Sequence, residues 1–250
     1  GWLEGGLPPG AVWVIDPAPS DWLSAQGVNL NAPLPAAPAI VLIAVKPQMM
    51  GDALPAIAAM GATDGAGDTL FVSVAAGTSL AAFEAALGAR SPIVRAMPNT
   101  PAAVGRGITA MIGNAHATDA HLDMAETLLS AVGQVVRLET EAQMDAVTGT
   151  SGSGPAYVFH MIECLAAAAE AEGLAPELAM QLAKATVAGA GALAEAAEES
   201  PAQLRRNVTS PGGTTQAGLA ELMDETDGLP PLMRRTVAAA AGRSRELKDG

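Results

Sequence analysis

The chain has 250 residues, a formal charge of -13, 50% hydrophobic residues and only 3% aromatics. That length holds one large or two small domains, whose cores must be aliphatic and rich in Ala. No run of Lys and Arg exceeds a pair, which argues against nucleic acid; no apolar run reaches the ~18 residues of a membrane span.

In chain order, Gly1 to Gly6 reads as the end of a helix, with Gly5 and Gly6 as stops. Ala11 to Ile15 is a short strand ending at Asp16, Asp21 to Gln26 a short helix, and Val28 to Leu30 a weak strand. Ile40 to Val45 is a continuous apolar run, as in a strand buried on both faces. A helix follows to about Met60. Thr69 to Val74 is a second buried strand, and Ser79 caps a helix to Leu87. Ile93 to Ala96, Ile108 to Ile112 and Gln134 to Leu138 complete the strands, with a helix from Thr118 to Val132. Alternating strands and helices imply an α/β, Rossmann-like domain with a mostly parallel sheet covered on both faces. Ligands of such sheets bind beyond the strands' carboxyl ends, here Asp16, Val45-Lys46, Ala75-Ala76 and Met97 to Asn99.

After about Glu139 the strand signals stop. The expected division is residues 1–139 as a dinucleotide-binding domain and 140–250 as an all-α domain for dimerisation and substrate binding. Pro155 to Glu172 and Glu177 to Ala197 are apolar on nearly every side, so they must be buried all round. A domain of about 110 residues has too little interior to hide both, and a second copy of the chain is the natural cover. Gly189 and Gly191 suit a helix that approaches another backbone closely.

The dinucleotide fingerprint of strand, G-x-G-x-x-G and helix is missing. Gly105 to Ala110 has the spacing but leads into a strand, and Gly189 to Ala194 lies inside a helix. The expectation is that the first strand, the glycine loop and most of the first helix precede this sequence. Gly149 to Gly154 lacks the spacing of a hydrolase nucleophile elbow. His116, His121 and His160 have no ligand spacing, so no metal is expected. His160 is expected to pack or hydrogen-bond within its helix. The lone Cys164 reads as a buried small hydrophobe, and one cysteine fits a reducing cytoplasm. Lys46, at the ligand-binding edge, suits a phosphate or carboxylate partner; a solvated strand-end lysine is the alternative.

The most informative stretch is Arg206 to Asp224, RNVTSPGGTTQAGLAELMD. A Ser/Thr/Pro/Gly run passes directly into a helix whose Leu219, Leu222 and Met223 share one face, with Thr214 or Thr215 as N-cap. Glycines let backbone approach a ligand, and the helix start suits a carboxylate or phosphate. This segment resembles the signature of pyrroline-5-carboxylate reductases. So do Ala44 to Pro47, Ala75 to Gly77, Met97 to Pro101, Asp145 to Gly149 and Ser151 to Tyr157, in the same order and spacing.

The resemblance implies hydride transfer from NADPH or NADH (NADP or NAD as cofactor) to 1-pyrroline-5-carboxylate, giving L-proline. It makes Ser210, Gly212, Gly213, Thr214 and Thr215 the substrate loop. Backbone amides and Ser210 would hold the carboxylate, Thr215 would touch the ring nitrogen as the catalytic residue, and Glu198 would act through water. Val45, Lys46, Ala75, Met97 and Asn99 would line the cofactor, with Asn31 near the adenosine ribose. Asp16 could accept a ribose 2′-OH and would repel a 2′-phosphate, which points to NADH unless Pro17 turns its side chain elsewhere. The resemblance also implies a homodimer, often assembled into a decamer, in which one chain's substrate loop closes its partner's site. Alternatives are a related cyclic-imine reductase, a hydroxy-acid dehydrogenase, or a non-catalytic dimeric scaffold without dinucleotide binding; the hydroxy-acid version would want a catalytic Lys in the helix after Gly154, and Lys184 is the only lysine in either long helix.

Overall fold

A computed structural model describes residues 1–45, 49–58 and 69–248. The chain forms two compact units: Gly1–Gly152 with Ala241–Gly250, and Ser153–Ala240.

In the first unit, Gly1 to Leu7 makes a turn rather than a helix tail, with Gly5 N–H on the Gly1 carbonyl at 2.8 Å. The Trp2 indole N–H donates to the Leu128 carbonyl at 2.6 Å. Strands β1 (Trp13–Val14) and β2 (Asn29–Leu30) pair in parallel as a separate two-stranded ladder, linked through helix α1 (Asp21–Ser24). The main sheet has five strands in sequence order: β3 (Ile40–Ile43), β4 (Leu70–Ser73), β5 (Ile93–Met97), β6 (Gly107–Gly113) and β7 (Gly133–Arg137). Helices α2 (Met50–Ala58), α3 (Leu80–Leu87) and α4 (Asp119–Ser130) accompany it.

Period-2 alternation in β4 and β5 builds a core on each face. Phe71 and Ile93 join Ile43, Met50, Leu80, Phe83 and Leu87 beneath α2 and α3. Leu70, Val72, Val94 and Ala96 join Met111, Ala125 and Leu129 beneath α4. Each large side chain buried this way contributes roughly 1.5–3 kcal/mol. The helix starts follow the sequence signals: Ser79 Oγ accepts the Ala82 N–H, and Thr118 forms a capping box with His121.

The direction of β6 was not expected. β3, β4 and β5 run in parallel, but β5 pairs antiparallel with β6, and β6 and β7 run in parallel. The short turn through a 3-10 segment, Thr100–Val104, cannot make a crossover, so it reverses the chain. β3, β4 and β5 therefore share one carboxyl edge of the main sheet, and β6 and β7 share the opposite one. Gly107 and Gly133 open the β6–β7 ladder, and a Cβ at Gly133 (φ 146°) would run into the Gly107 carbonyl.

The compact units do not divide at Glu139. Helix α5 (Gln143–Val147) and a π-turn, Thr148–Gly152, stay with the first unit. The end of α10 (Leu229–Lys248) belongs there too, and the Ser244 hydroxyl donates to buried Asp145 Oδ1 at 2.8 Å. Arg95, 2% exposed, pairs with Glu141 Oε1 at 2.6 Å. That oxygen also accepts the Leu80 N–H, so one carboxylate ties α3 to β5.

The second unit is helical: α6 (Gly154–Ala171), α7 (Pro176–Ala196), α8 (Pro201–Asn207), α9 (Thr214–Leu222) and the first part of α10. α6 and α7 pack as an antiparallel-type hairpin joined by a turn through Gly173 (φ 98°), burying Ala166, Ala179 and Ala183. Their bulkier apolar residues stay outside: Phe159 and Leu193 are each 57% exposed, and Met161, Leu165, Leu178 and Leu182 are exposed too. Cys164 is exposed as well, not buried as expected, because two residues from Ala166 along the helix it points away from the buried face of α6. His160 bonds within its own helix, Nδ1 to Glu163 at 3.0 Å and Nε2 to Cys164 Sγ at 3.5 Å. A Cβ on Gly189 or Gly191 would meet nothing within 4 Å in this chain, so neither glycine is required by packing within the protomer. No helix among the described residues is long and apolar enough to cross a membrane.

Candidate functional site

The residues singled out by sequence fall into two groups, one in each unit. The first lies at strand ends. Val45, Ala75 and Met97 follow or end β3, β4 and β5, and the parallel register brings these ends to one edge of the sheet. Val45 packs against the core beneath α2 and α3. Ala75 is buried, with its N–H on Ser73 Oγ at 3.2 Å, and the chain then bends through Gly77 at φ 81°. At this bend a Cβ on Gly77 would lie 3.6 Å from the Leu247 carbonyl oxygen, so the chain here runs close to the end of α10. Lys46 lies outside the described residues.

Asn99 has a different local role from Met97. Its Nδ2 donates to the Ser151 carbonyl at 3.1 Å, and its Oδ1 accepts the Ile108 N–H at 2.9 Å. Both ends of the carboxamide thus hold main chain: the start of β6 and the π-turn.

Asp16 and Asn31 follow β1 and β2 and lock together. Asn31 Oδ1 accepts the Asp16 N–H at 3.0 Å, and Asn31 Nδ2 donates to the Asp16 carbonyl at 2.9 Å. Asn31 sits at φ 51°, a left-handed position that Asn tolerates. Asp16 Oδ1 accepts the Ala18 N–H at 2.8 Å, so Pro17 does turn part of the carboxylate onto the chain. Oδ2 remains for a hydroxyl donor.

The second group is the loop into α9. Ser210-Pro211-Gly212-Gly213 closes with the Gly213 N–H on the Ser210 carbonyl at 3.1 Å. Pro at the second position and Gly212 at φ 71° in the third are the marks of a type II turn. A Cβ on Gly213 would lie 2.5 Å from Ser210 Oγ, so only glycine lets that hydroxyl sit over the helix start. The N-cap is Gly213, with no side-chain cap, whereas the sequence suggested Thr214 or Thr215. The type II turn brings the chain to the helix one residue earlier, which puts both threonines inside the first turn of α9. Ser210, Thr214 and Thr215 are all exposed, and their hydroxyls make no hydrogen bond to another described residue.

The Gly212 N–H donates to Gln216 Oε1 at 2.6 Å, a contact that sequence reading missed. A Gln three residues after the cap, reaching back over the loop, was the available signal. The amides of Gly212 and Gly213 are therefore spent within the loop, leaving the first-turn N–H groups of α9 for an anion. Glu198 is exposed in the bend after α7. Leu219, Leu222 and Met223 line an open apolar groove with Leu229, Pro230 and Met233, and Leu222 and Met223 remain exposed in it. Asp224 closes the joint: Oδ1 accepts the Thr226 and Asp227 N–H groups, each at 2.8 Å, and these bonds lower its pKa from the usual 3.8. Among the described residues no cluster of His, Cys, Asp and Glu could hold a metal ion.

Comparison with known proteins bears on the family of the chain. Residues 141–247 match the pyrroline-5-carboxylate reductase dimerisation family. The chain is 39% identical to the pyrroline-5-carboxylate reductase of Pseudomonas aeruginosa, over 98% of this chain and 89% of that protein. A solved pyrroline-5-carboxylate reductase from Coxiella burnetii superposes with a TM-score of 0.89 at 33% identity, covering 98% of this chain and 92% of that one. The Plasmodium falciparum pyrroline carboxylate reductase, solved with NADP bound, gives 0.77 at 27% identity, covering 94% and 87%. Spanning nearly the whole of such relatives at this identity, this chain belongs to the pyrroline-5-carboxylate reductase family.

Proposed function

We propose that the protein reduces 1-pyrroline-5-carboxylate to L-proline with NADPH or NADH, as a step of proline biosynthesis. The observation that carries this reading is the loop Ser210 to Thr215: a turn that needs glycine beside the Ser210 hydroxyl, followed by an uncapped helix start. Such a surface fits a small anion with a ring nitrogen beside it.

The residues divide the work as follows. Ser210 and the first-turn amides of α9 bind the carboxylate. The Thr215 hydroxyl holds the ring nitrogen in place, and Glu198 supports the site through water. The dinucleotide supplies the hydride, and Val45, Ala75, Met97 and Asn99 line its position, with Lys46 beside them. Asn31 and Asp16 lie near the ribose, where Asp16 Oδ2 favours a free 2′-OH. A protonated imine is already electrophilic, so positioning suffices and no strong acid is needed. Residues 1–139 serve the dinucleotide, and 140–250 serve dimerisation and substrate. Homodimers assembling further into a decamer, in the cytoplasm, complete the reading.

The test is NAD(P)H oxidation by the full-length protein. Consumption only when 1-pyrroline-5-carboxylate is present is expected, with other cyclic imines and hydroxy acids slower. A folded protein that consumes no cofactor with this substrate would overturn the reading.

A further inference from the structure

Gln216 stands out because, among the described residues, it is the one side chain with a hydrogen bond that joins the Ser210–Gly213 turn to the body of α9. It occupies the third helical position, where Gln or Glu ordinarily reaches back to the N-cap amide. Here it reaches one residue further, to the Gly212 N–H at 2.6 Å. The N-cap is a glycine and offers no reciprocal bond, so without Gln216 the turn meets the helix through main chain alone. Gly212 at φ 71° is a permissive joint, and a permissive joint needs a tether to keep one conformation. The same contact removes the Gly212 amide from the set of anion donors and leaves those of the first helical turn.

We infer that Gln216 is a positioning residue for substrate: by holding the Gly212 amide it fixes the Ser210 hydroxyl over the first turn of α9, and so sets affinity for the substrate carboxylate. This rests on the function proposed above. Gln216 touches neither the ring nitrogen nor the dinucleotide in this role. Its loss therefore acts on substrate KM and spares both turnover and the KM for NADPH.

Gln216→Met keeps the length of the side chain and removes the acceptor. Two measurements on the full-length protein decide the matter. Hydrogen exchange of the peptide spanning the turn should quicken in Gln216→Met, reporting release of the Gly212 amide. Steady-state kinetics should show substrate KM raised on the order of tenfold, about the worth of one hydrogen bond, with kcat within about twofold and the NADPH KM unmoved. An active variant with unchanged substrate KM overturns the role of Gln216 alone, whether or not exchange quickens. A fall in kcat with KM unchanged also overturns it. A wild-type protein inactive toward 1-pyrroline-5-carboxylate overturns the functional reading itself and this role with it. Circular dichroism melting of the variant, expected to match wild type within a few degrees, separates local release from unfolding.

Discussion

Asn99 and Ser151 are joined by a side-chain to main-chain hydrogen bond of 3.1 Å, which fastens the exit of β5 to the π-turn. The opposite end of the same carboxamide holds the Ile108 amide at 2.9 Å, so its orientation is fixed by donor and acceptor together. Asn99→Asp would place a carboxylate oxygen against the Ser151 carbonyl while keeping the Ile108 bond. The expected cost is about 1–3 kcal/mol of stability, that of an opposed polar pair. Thermal unfolding checks it, with Asn99→Ser as a milder comparison; an unshifted Asn99→Asp melt would show that the bond contributes nothing.

Thr215→Ala is expected to lower kcat by roughly 10- to 100-fold, while the KM for NADPH moves by less than about threefold. The reasoning is geometric. Thr215 lies in the first turn of α9, its hydroxyl is not engaged in capping, and removing it leaves the helix start intact. Steady-state kinetics with each reactant varied in turn provides the check, and an unchanged kcat would remove Thr215 from the chemistry.

Phe159→Asp should weaken the homodimer by about a hundredfold or more, since it exchanges roughly 1.5–3 kcal/mol of apolar burial for an unpaired charge. Phe159 is 57% exposed in the single chain, so the greater part of its surface is free of the protomer's own packing. Sedimentation velocity over a concentration series reads the result. Retained dimer at low concentration would place the contact elsewhere on α6.

Acid should open the turn between α9 and α10. Asp224 is held below its usual value of 3.8 by the amides of Asp227 and Thr226, and the group is fully exposed. A depressed folded-state pKa means that the stabilisation is complete above the unfolded value and disappears as pH falls through the folded one. An NMR titration of the Asp224 carboxyl carbon should give a midpoint below 3.8, with the Thr226 and Asp227 amide resonances moving in step. A midpoint at or above 3.8 would show that the two bonds do not persist in solution.

Much of the architecture is legible in the residues. Leu70 to Ser73 form the buried strand that their apolar run implies, whereas Ile40 to Ile43 form a strand at the sheet edge with only Ile43 fully buried; Ser79 and Thr118 cap the helices they precede. The direction of β6 is not legible, because apolar periodicity carries no sign; only the short link through Thr100–Val104 determines it. The start of α9 was misplaced by a residue because Thr is a better intrinsic cap than Gly, whereas the Pro211-Gly212 turn decides where the helix begins. Helix α8 (Pro201–Asn207), with its Ser200 cap and Pro at the first position, carried an ordinary start signal that went unread. The Asp145–Ser244 contact joins residues 99 apart, and no local pattern could announce it.

The bare flanks of α6 and α7 have a consequence for how the protein is made. A newly synthesised protomer carries Phe159, Met161, Leu165, Leu182 and Leu193 toward water, a greasy surface that self-adheres without discrimination until the right mate arrives. Maturation is then a race between pairing and clumping, decided by how much chain is present. Mass action makes the assembled enzyme sturdier the more of it there is, and dilution alone should soften it.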